Sequence, residues 1–187
     1  MRPARATTAV VVTLLLLFLL LSCGGDDDPT APEADPPAPE PTESVAGVLD
    51  LPSGWQGDVS ALEVVNSHAT ESCDGGAFAL ECFRDDRQLV AVRGAEGPLL
   101  LAWFGAGADS IETRTTAEVL LWYALGTWML PPDGQIAVRD LIGDLTTELD
   151  GVVAALDQAL LAHPDGLPDG QTAIHEALQA TVDALLA

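Results

Sequence analysis

Three stretches of this sequence put reactive side chains at spacings that chemistry can use. His175-Glu176-Ala177-Leu178-Gln179 nearly spells H-E-x-x-H. In that motif two histidines one helical turn apart bind one zinc ion while the glutamate acts as base. Gln179 stands at the second ligand position and Leu178 belongs to an apolar stripe, so His175 and Glu176 are expected as ordinary helix-surface residues. Asp165, Asp169, Gly170 and Glu176 fall at places one, five, six and twelve of a helix–loop–helix calcium site. Leu167 sits at place three, where an oxygen ligand is needed, and Pro168 stiffens the approach. Asp169 is therefore expected to cap the helix that follows. Ser67 and His68 adjoin, but neighbours on a strand point to opposite faces, so adjacency does not make a dyad.

No G-x-S-x-G elbow, phosphate-binding loop or dinucleotide fingerprint occurs. Asp85 and Asp86, flanked by Arg84 and Arg87, read as a solvated turn rather than as paired catalytic carboxylates. Trp103, Trp122 and Trp128 lie in apolar runs and are expected in the core. Trp55 follows Pro52-Ser53-Gly54 in a loop and is the aromatic candidate for binding. The expectation is a non-catalytic protein without cofactor or metal site. The alternative is a small hydrolase that uses His68 with acids from the β loops.

The first 22 residues differ from the rest. Arg2 and Arg5 give a positive start, and residues 9–21 are apolar except for Thr13. Thirteen helical residues span about 20 Å, short of a roughly 30 Å hydrocarbon core. A charged head, a short apolar body and a small terminal residue describe a signal peptide. The segment ends in Leu20-Leu21-Ser22-Cys23, which resembles the lipobox of bacterial lipoproteins. That resemblance implies lipid on the Cys23 thiol, cleavage before it and acylation of the new amine, a permanent membrane anchor. Gly24 follows, where the enteric sorting rule would need Asp for retention at the inner membrane, so an outer-membrane location is expected. With Cys23 lipidated, Cys73 and Cys82 remain as an even pair in an oxidising compartment. Their bridge would close a ten-residue loop worth roughly 2.7 kcal/mol. A tight hairpin at Asp74-Gly75-Gly76 would not set them opposite each other, so the bridge requires the loop to fold back.

Removal of the leader leaves five arginines, no lysine and 29 acids, a net charge of −24. Residues 24–44 hold six prolines and seven acids with almost nothing to bury, so they cannot offset the entropy cost of folding. They read as a tether; 21 residues of polyproline II would reach roughly 65 Å. Beyond it five arginines face 22 acids, a net of −17. Such a surface repels phosphate backbones, so no nucleic-acid partner is expected. The expected partners are the membrane, through the lipid, and a protein.

From Val45 the pattern is β. Strands are expected over 45–51, 61–66, 77–83, 88–93 and 99–104, with turns at Asp74-Gly75-Gly76, Arg84–Arg87 and Gly94–Gly97. After Gly105-Ala106-Gly107 the period becomes helical. Thr115-Thr116-Ala117-Glu118 reads as a capping box that opens a helix apolar nearly all round. A second helix is expected over 136–162, with Leu141, Ile142, Leu145, Leu149, Val152 and Leu156 on one face, and a third carries Ile174 to Leu185. Strands followed by helices argue an α+β fold: a small antiparallel β-sandwich-like part over 45–108 and a three-helix part over 109–187. The β part, with its Gly-Val-Leu opening and Asp-Gly-Gly-Ala-Phe turn, resembles the transthyretin-like sandwich of carboxypeptidase regulatory domains. Thr115 to Leu120 resembles the helical element that follows such domains in bacterial lipoproteins. Neither resemblance brings an activity.

Overall fold

The computed structural model describes residues 41–187. The leader, Cys23 and the tether up to residue 40 lie outside the described residues. Among the described residues seven strands come first: β1 (Thr42–Asp50), β2 (Glu63–Val65), β3 (Thr70–Ser72), β4 (Ala77–Phe83), β5 (Arg87–Gly94), β6 (Gly97–Gly105) and β7 (Ser110–Glu112). Four helices follow: α1 (Thr113–Ala124), α2 (Pro132–Gly143), α3 (Asp150–Ala162) and α4 (Thr172–Leu186). The fold is α+β, with two strands and one helix more than the sequence pattern separates.

The strands make a three-stranded sheet of order β4-β1-β7 and a four-stranded sheet of order β3-β2-β5-β6. All pairings are antiparallel except β1 with β7, which run parallel over Val48–Asp50 and Ser110–Glu112. The β structure therefore extends past 108. Likewise the first strand starts at Thr42, inside the expected tether, because Thr42, Glu43 and Ser44 pair with Phe83, Cys82 and Glu81. Ladder hydrogen bonds along β4 recruit these residues although they bury no side chain.

One core lies between the sheets. Phe78, Leu80 and Cys82 of β4 meet Val64, Val90, Val92, Ala102 and Phe104 of the other sheet. The Phe78 and Phe104 rings stand 5.1 Å apart. Gly47 makes room for them: a Cβ there would lie 2.5–2.6 Å from both rings. A second core surrounds α1, where Ala117, Leu121 and Trp122 pack with Ile142, Leu149, Val152, Leu156 and Ile174. The prediction that α1 is central holds.

Its limits do not. The N-cap is Glu112, and the reciprocal box pairs Glu112 with Thr115 rather than Thr115 with Glu118. Thr115 accepts the Glu112 N–H at 3.0 Å. At the other end Gly126, at φ +69°, stops the helix in the left-handed region, where only glycine is unstrained. Trp128 and Met129 then leave the core and stand 58% and 68% exposed.

The long second helix is two helices. The chain leaves α2 at Gly143 and re-enters at Asp150, and Arg114 of α1 holds the gap. Its guanidinium donates to the carbonyls of Leu145 and Thr146. The Glu148 carboxylate accepts the N–H groups of Thr146 and Thr147 at 3.0 and 3.1 Å. These bonds satisfy the orphaned ends that a break creates. Leu141, placed on the buried stripe by a continuous helix, is 66% exposed, whereas Leu149 is fully buried. The last helix has Gln171, not Asp169, at its N-cap and no side-chain cap. Among the described residues no helix is long and apolar enough to cross a membrane.

Candidate functional site

Ser67 and His68 lie in a turn between β2 and β3, not on a strand, so the alternation rule that separated them does not apply. Asn66 builds the turn by accepting the N–H groups of His68 and Ala69 at 3.0 and 2.7 Å. The Ser67 hydroxyl ends 3.2 Å from His68 Nδ1. The imidazole leans on Phe83 with ring centroids 4.8 Å apart, and both Ser67 and His68 are exposed. Among the described residues no carboxylate forms an ion pair with His68.

Cys73 and Cys82 are both buried and both free thiols, not a disulfide. The tight turn forms after all: Asp74 and Ala77 exchange hydrogen bonds of 2.8 and 2.9 Å. The chain thus returns at Ala77, and Cys82 lies five residues, about 17 Å of extended strand, further along β4. Burial raises the pKa of both thiols.

Trp55 is half-buried against the inter-sheet core rather than open to solvent. Its ring lies over Gly57, where a Cβ would overlap it. His175 and Glu176 are exposed, as expected. His175 borders a groove of about 460 Å³ between α1 and α4 with Leu120, Tyr123 and Val182. The Asp165 loop is used through its backbone. The Asp165 carbonyl accepts the Glu96 N–H, and Leu167 N–H donates to Pro98, both at 2.9 Å, docking the loop on the β5–β6 turn. Among the described residues no group of three or more His, Cys, Asp or Glu is placed to hold a metal ion.

The side chains that the fold does bring together are ones the sequence gave no reason to group. The outer face of the four-stranded sheet contributes Arg87 and Trp103, α1 contributes Trp122, and α2 contributes Pro132, Gln135, Ile136 and Arg139. With Asp86 they line a pocket of about 210 Å³. The Trp103 and Trp122 rings meet edge to face at 5.2 Å. Arg139 lies over Trp103, its guanidinium carbon 5.9 Å from the ring centroid, within cation–π range. Trp122 Nε1 donates to the Gln135 carbonyl at 3.4 Å. Trp103 Nε1 and Arg139 Nε, by contrast, are shielded from solvent without a hydrogen-bond partner among the described residues. Among the described residues Arg139 Nε forms an ion pair with Asp140 at 3.8 Å, too long for a hydrogen bond.

Beside this pocket the α1–α2 connection presents Trp128, Met129 and Leu130 in succession, 58%, 68% and 42% exposed. They are held rather than loose. The Gln135 amide donates to the carbonyls of Leu130 at 2.8 Å and Trp128 at 3.4 Å. Ile136, 47% exposed, continues the apolar surface onto α2.

Comparison with known protein families, with curated proteins and with solved structures found no match to this chain.

Proposed function

We propose that this chain is an exported bacterial lipoprotein whose folded part is a non-catalytic binding module of the cell envelope. The leader, Leu20-Leu21-Ser22-Cys23 and the acidic proline-rich segment supply export, anchor and reach. Trp128-Met129-Leu130 carries the binding reading. Three successive large apolar side chains on an ordered connection, continued by Ile136, form the kind of exposed patch that marks a protein interface. With a net charge of −17 around it, apolar contact rather than charge attraction is the available adhesive toward an acidic envelope surface.

The test is site-specific photo-crosslinking of the full chain in cells, with the reactive group at Ala137 beside the patch or at Glu71 on β3. A single adduct of fixed mass from position 137 alone, lost on Trp128→Ser, supports the module. Identical products from both positions, or a crosslink to this chain's own residues 24–40, overturns it. The anchor is tested separately. Cys23→Ala should leave an uncleaved precursor without labelled palmitate, and normal labelling of that variant ends the lipoprotein reading.

One observation favours a second reading. The 3.2 Å approach of Ser67 Oγ to His68 Nδ1 is the geometry of an activated serine. A hydrolase of this kind requires activated-ester turnover that Ser67→Ala abolishes. Turnover unchanged in that variant removes it.

A further inference from the structure

After the leader the chain has five arginines in a strongly acidic surface, and two of them, Arg87 and Arg139, line one small pocket. Their recruitment is a product of tertiary structure. Arg87 starts β5, Arg139 lies on α2 four residues after Gln135, and Trp103 and Trp122 form the wall between. The Arg87 Nε–H already donates to the Ala106 carbonyl at 3.4 Å. Arg139 Nε and Trp103 Nε1 are two N–H donors shut away from solvent with no hydrogen-bond acceptor among the described residues. A buried donor without an acceptor is uncommon and costly, of the order that a ligand acceptor would recover. Both donors call for an acceptor, and the guanidinium favours one with negative charge, presented as two oxygens in a plane. Trp122, Pro132 and Ile136 add an apolar part of the lining beside the polar Gln135 and suit a flat hydrocarbon body. Asp86, the one acid on the lining, has an oxygen engaged by the Arg87 N–H at 2.7 Å and works against a second negative group on the ligand.

We infer that the Arg87–Arg139–Trp103 pocket binds a small monocarboxylate with an aromatic or compact apolar body. At about 210 Å³ the pocket is smaller than the roughly 300–1,000 Å³ typical for drug-sized ligands, so the occupant is of single-ring size. Affinity in the high micromolar to millimolar range follows from so few atoms. The pocket shares Ile136 with the apolar patch, but Arg87, Trp103 and Arg139 lie outside the patch, so the arginine variants test this inference separately from the partner reading above.

Benzoate serves as the probe, benzamide as its uncharged match and benzylamine as its cationic counterpart. Titration is followed by tryptophan fluorescence and by calorimetry on the full chain in detergent. Benzoate is expected to saturate a single site, with benzamide and benzylamine at least tenfold weaker. Arg139→Gln should weaken benzoate at least tenfold. Arg87→Gln should weaken it several-fold, and Arg84→Gln, an exposed arginine outside the pocket, should leave it unchanged. Thermal melts of each variant separate lost binding from lost folding; if Arg139→Gln does not fold, Arg87→Gln decides. Equal binding of benzoate and benzamide, no saturable binding of either, or an Arg87→Gln affinity matching the parent overturns the assignment.

Discussion

The Thr116 hydroxyl serves both backbone groups of one strand residue, accepting the Leu101 N–H at 2.9 Å and lying 3.0 Å from the Leu101 carbonyl. Leu101 lies on β6, the edge of the four-stranded sheet, whose outer N–H and C=O have no further strand to meet. Helix α1 closes that edge through the Thr116 side chain, 3% exposed, with the Thr115 hydroxyl 3.4 Å from the same carbonyl. Thr116→Val keeps the shape and removes the hydroxyl, so it should cost about 1–3 kcal/mol. Thr116→Ser should restore most of that. Urea melts read the stability, and amide exchange at Leu101 should accelerate only in the valine variant.

The break between α2 and α3 gives a paired test at adjacent residues. Leu149 is fully buried, so Leu149→Ala leaves a cavity and should cost about 2–5 kcal/mol. Glu148 is exposed, and Glu148→Ala loses only side-chain bonds at the surface to the Thr146 and Thr147 N–H groups, so it should cost far less than Leu149→Ala. Urea midpoints compared at equal slope check the order. Equal midpoints would mean that the Leu149 face is not packed in solution.

Cys73 and Cys82 are expected to alkylate slowly in the folded chain, because burial both hides the thiols and disfavours the reactive thiolate. In urea without reductant the peptides bearing each should label fully. Mass spectrometry of protein taken from the cell envelope decides: two blocked residues would mean that the oxidised chain departs from the free-thiol arrangement.

Glu118 supplies a pH dependence. Burial raises its pKa, and the Arg114 guanidinium, 3.3 Å away, only partly opposes that. The folded chain therefore holds this proton at pH values where the unfolded chain has released it. Stability from this group is fully present below the unfolded glutamate pKa and is lost as pH rises from there through the raised folded pKa. Glu118→Gln removes the dependence, so the variant should gain on the parent as pH climbs from about 4 to 7. Melting midpoints across that range measure it; a difference independent of pH would show that the carboxyl is not desolvated.

Local order in this chain was legible from residue pattern wherever neighbours in sequence settle it. Alternation along β4 and β5 and the apolar turns of α1 and α4 led to elements close to those observed, and the α+β class followed from their order. Errors arose where distant groups intervene. The pattern over 136–162 is continuous as a helix, yet Arg114, more than thirty residues upstream, stabilises carbonyls at a gap that no local signal marks. Thr42–Ser44 read as tether because strand pairing to β4 contributes backbone hydrogen bonds that leave no trace in side-chain hydropathy. Trp128 read as core because its neighbours are apolar, but Gly126 turns the chain outward one residue before Thr127.

The candidate sites divide along the same line. Charge, the leader and the Cys23 motif are properties of the chain itself and need no fold to be stated. The turn at Asp74–Ala77, also local, was legible as turn chemistry, but the folding back of the loop that a Cys73–Cys82 bridge requires was an expectation the free thiols do not meet. The pocket is of the other kind: Arg87 and Arg139 are 52 positions apart, one at the start of a strand and one on a helix. Only the tertiary fold, which sets Arg139 of α2 over Trp103 of β6, brings them around one pocket in which two N–H donors are stripped of solvent. Sequence determines which side chains are available; which of them share a dry cavity is decided by burial, a sum over contacts that no local spacing encodes.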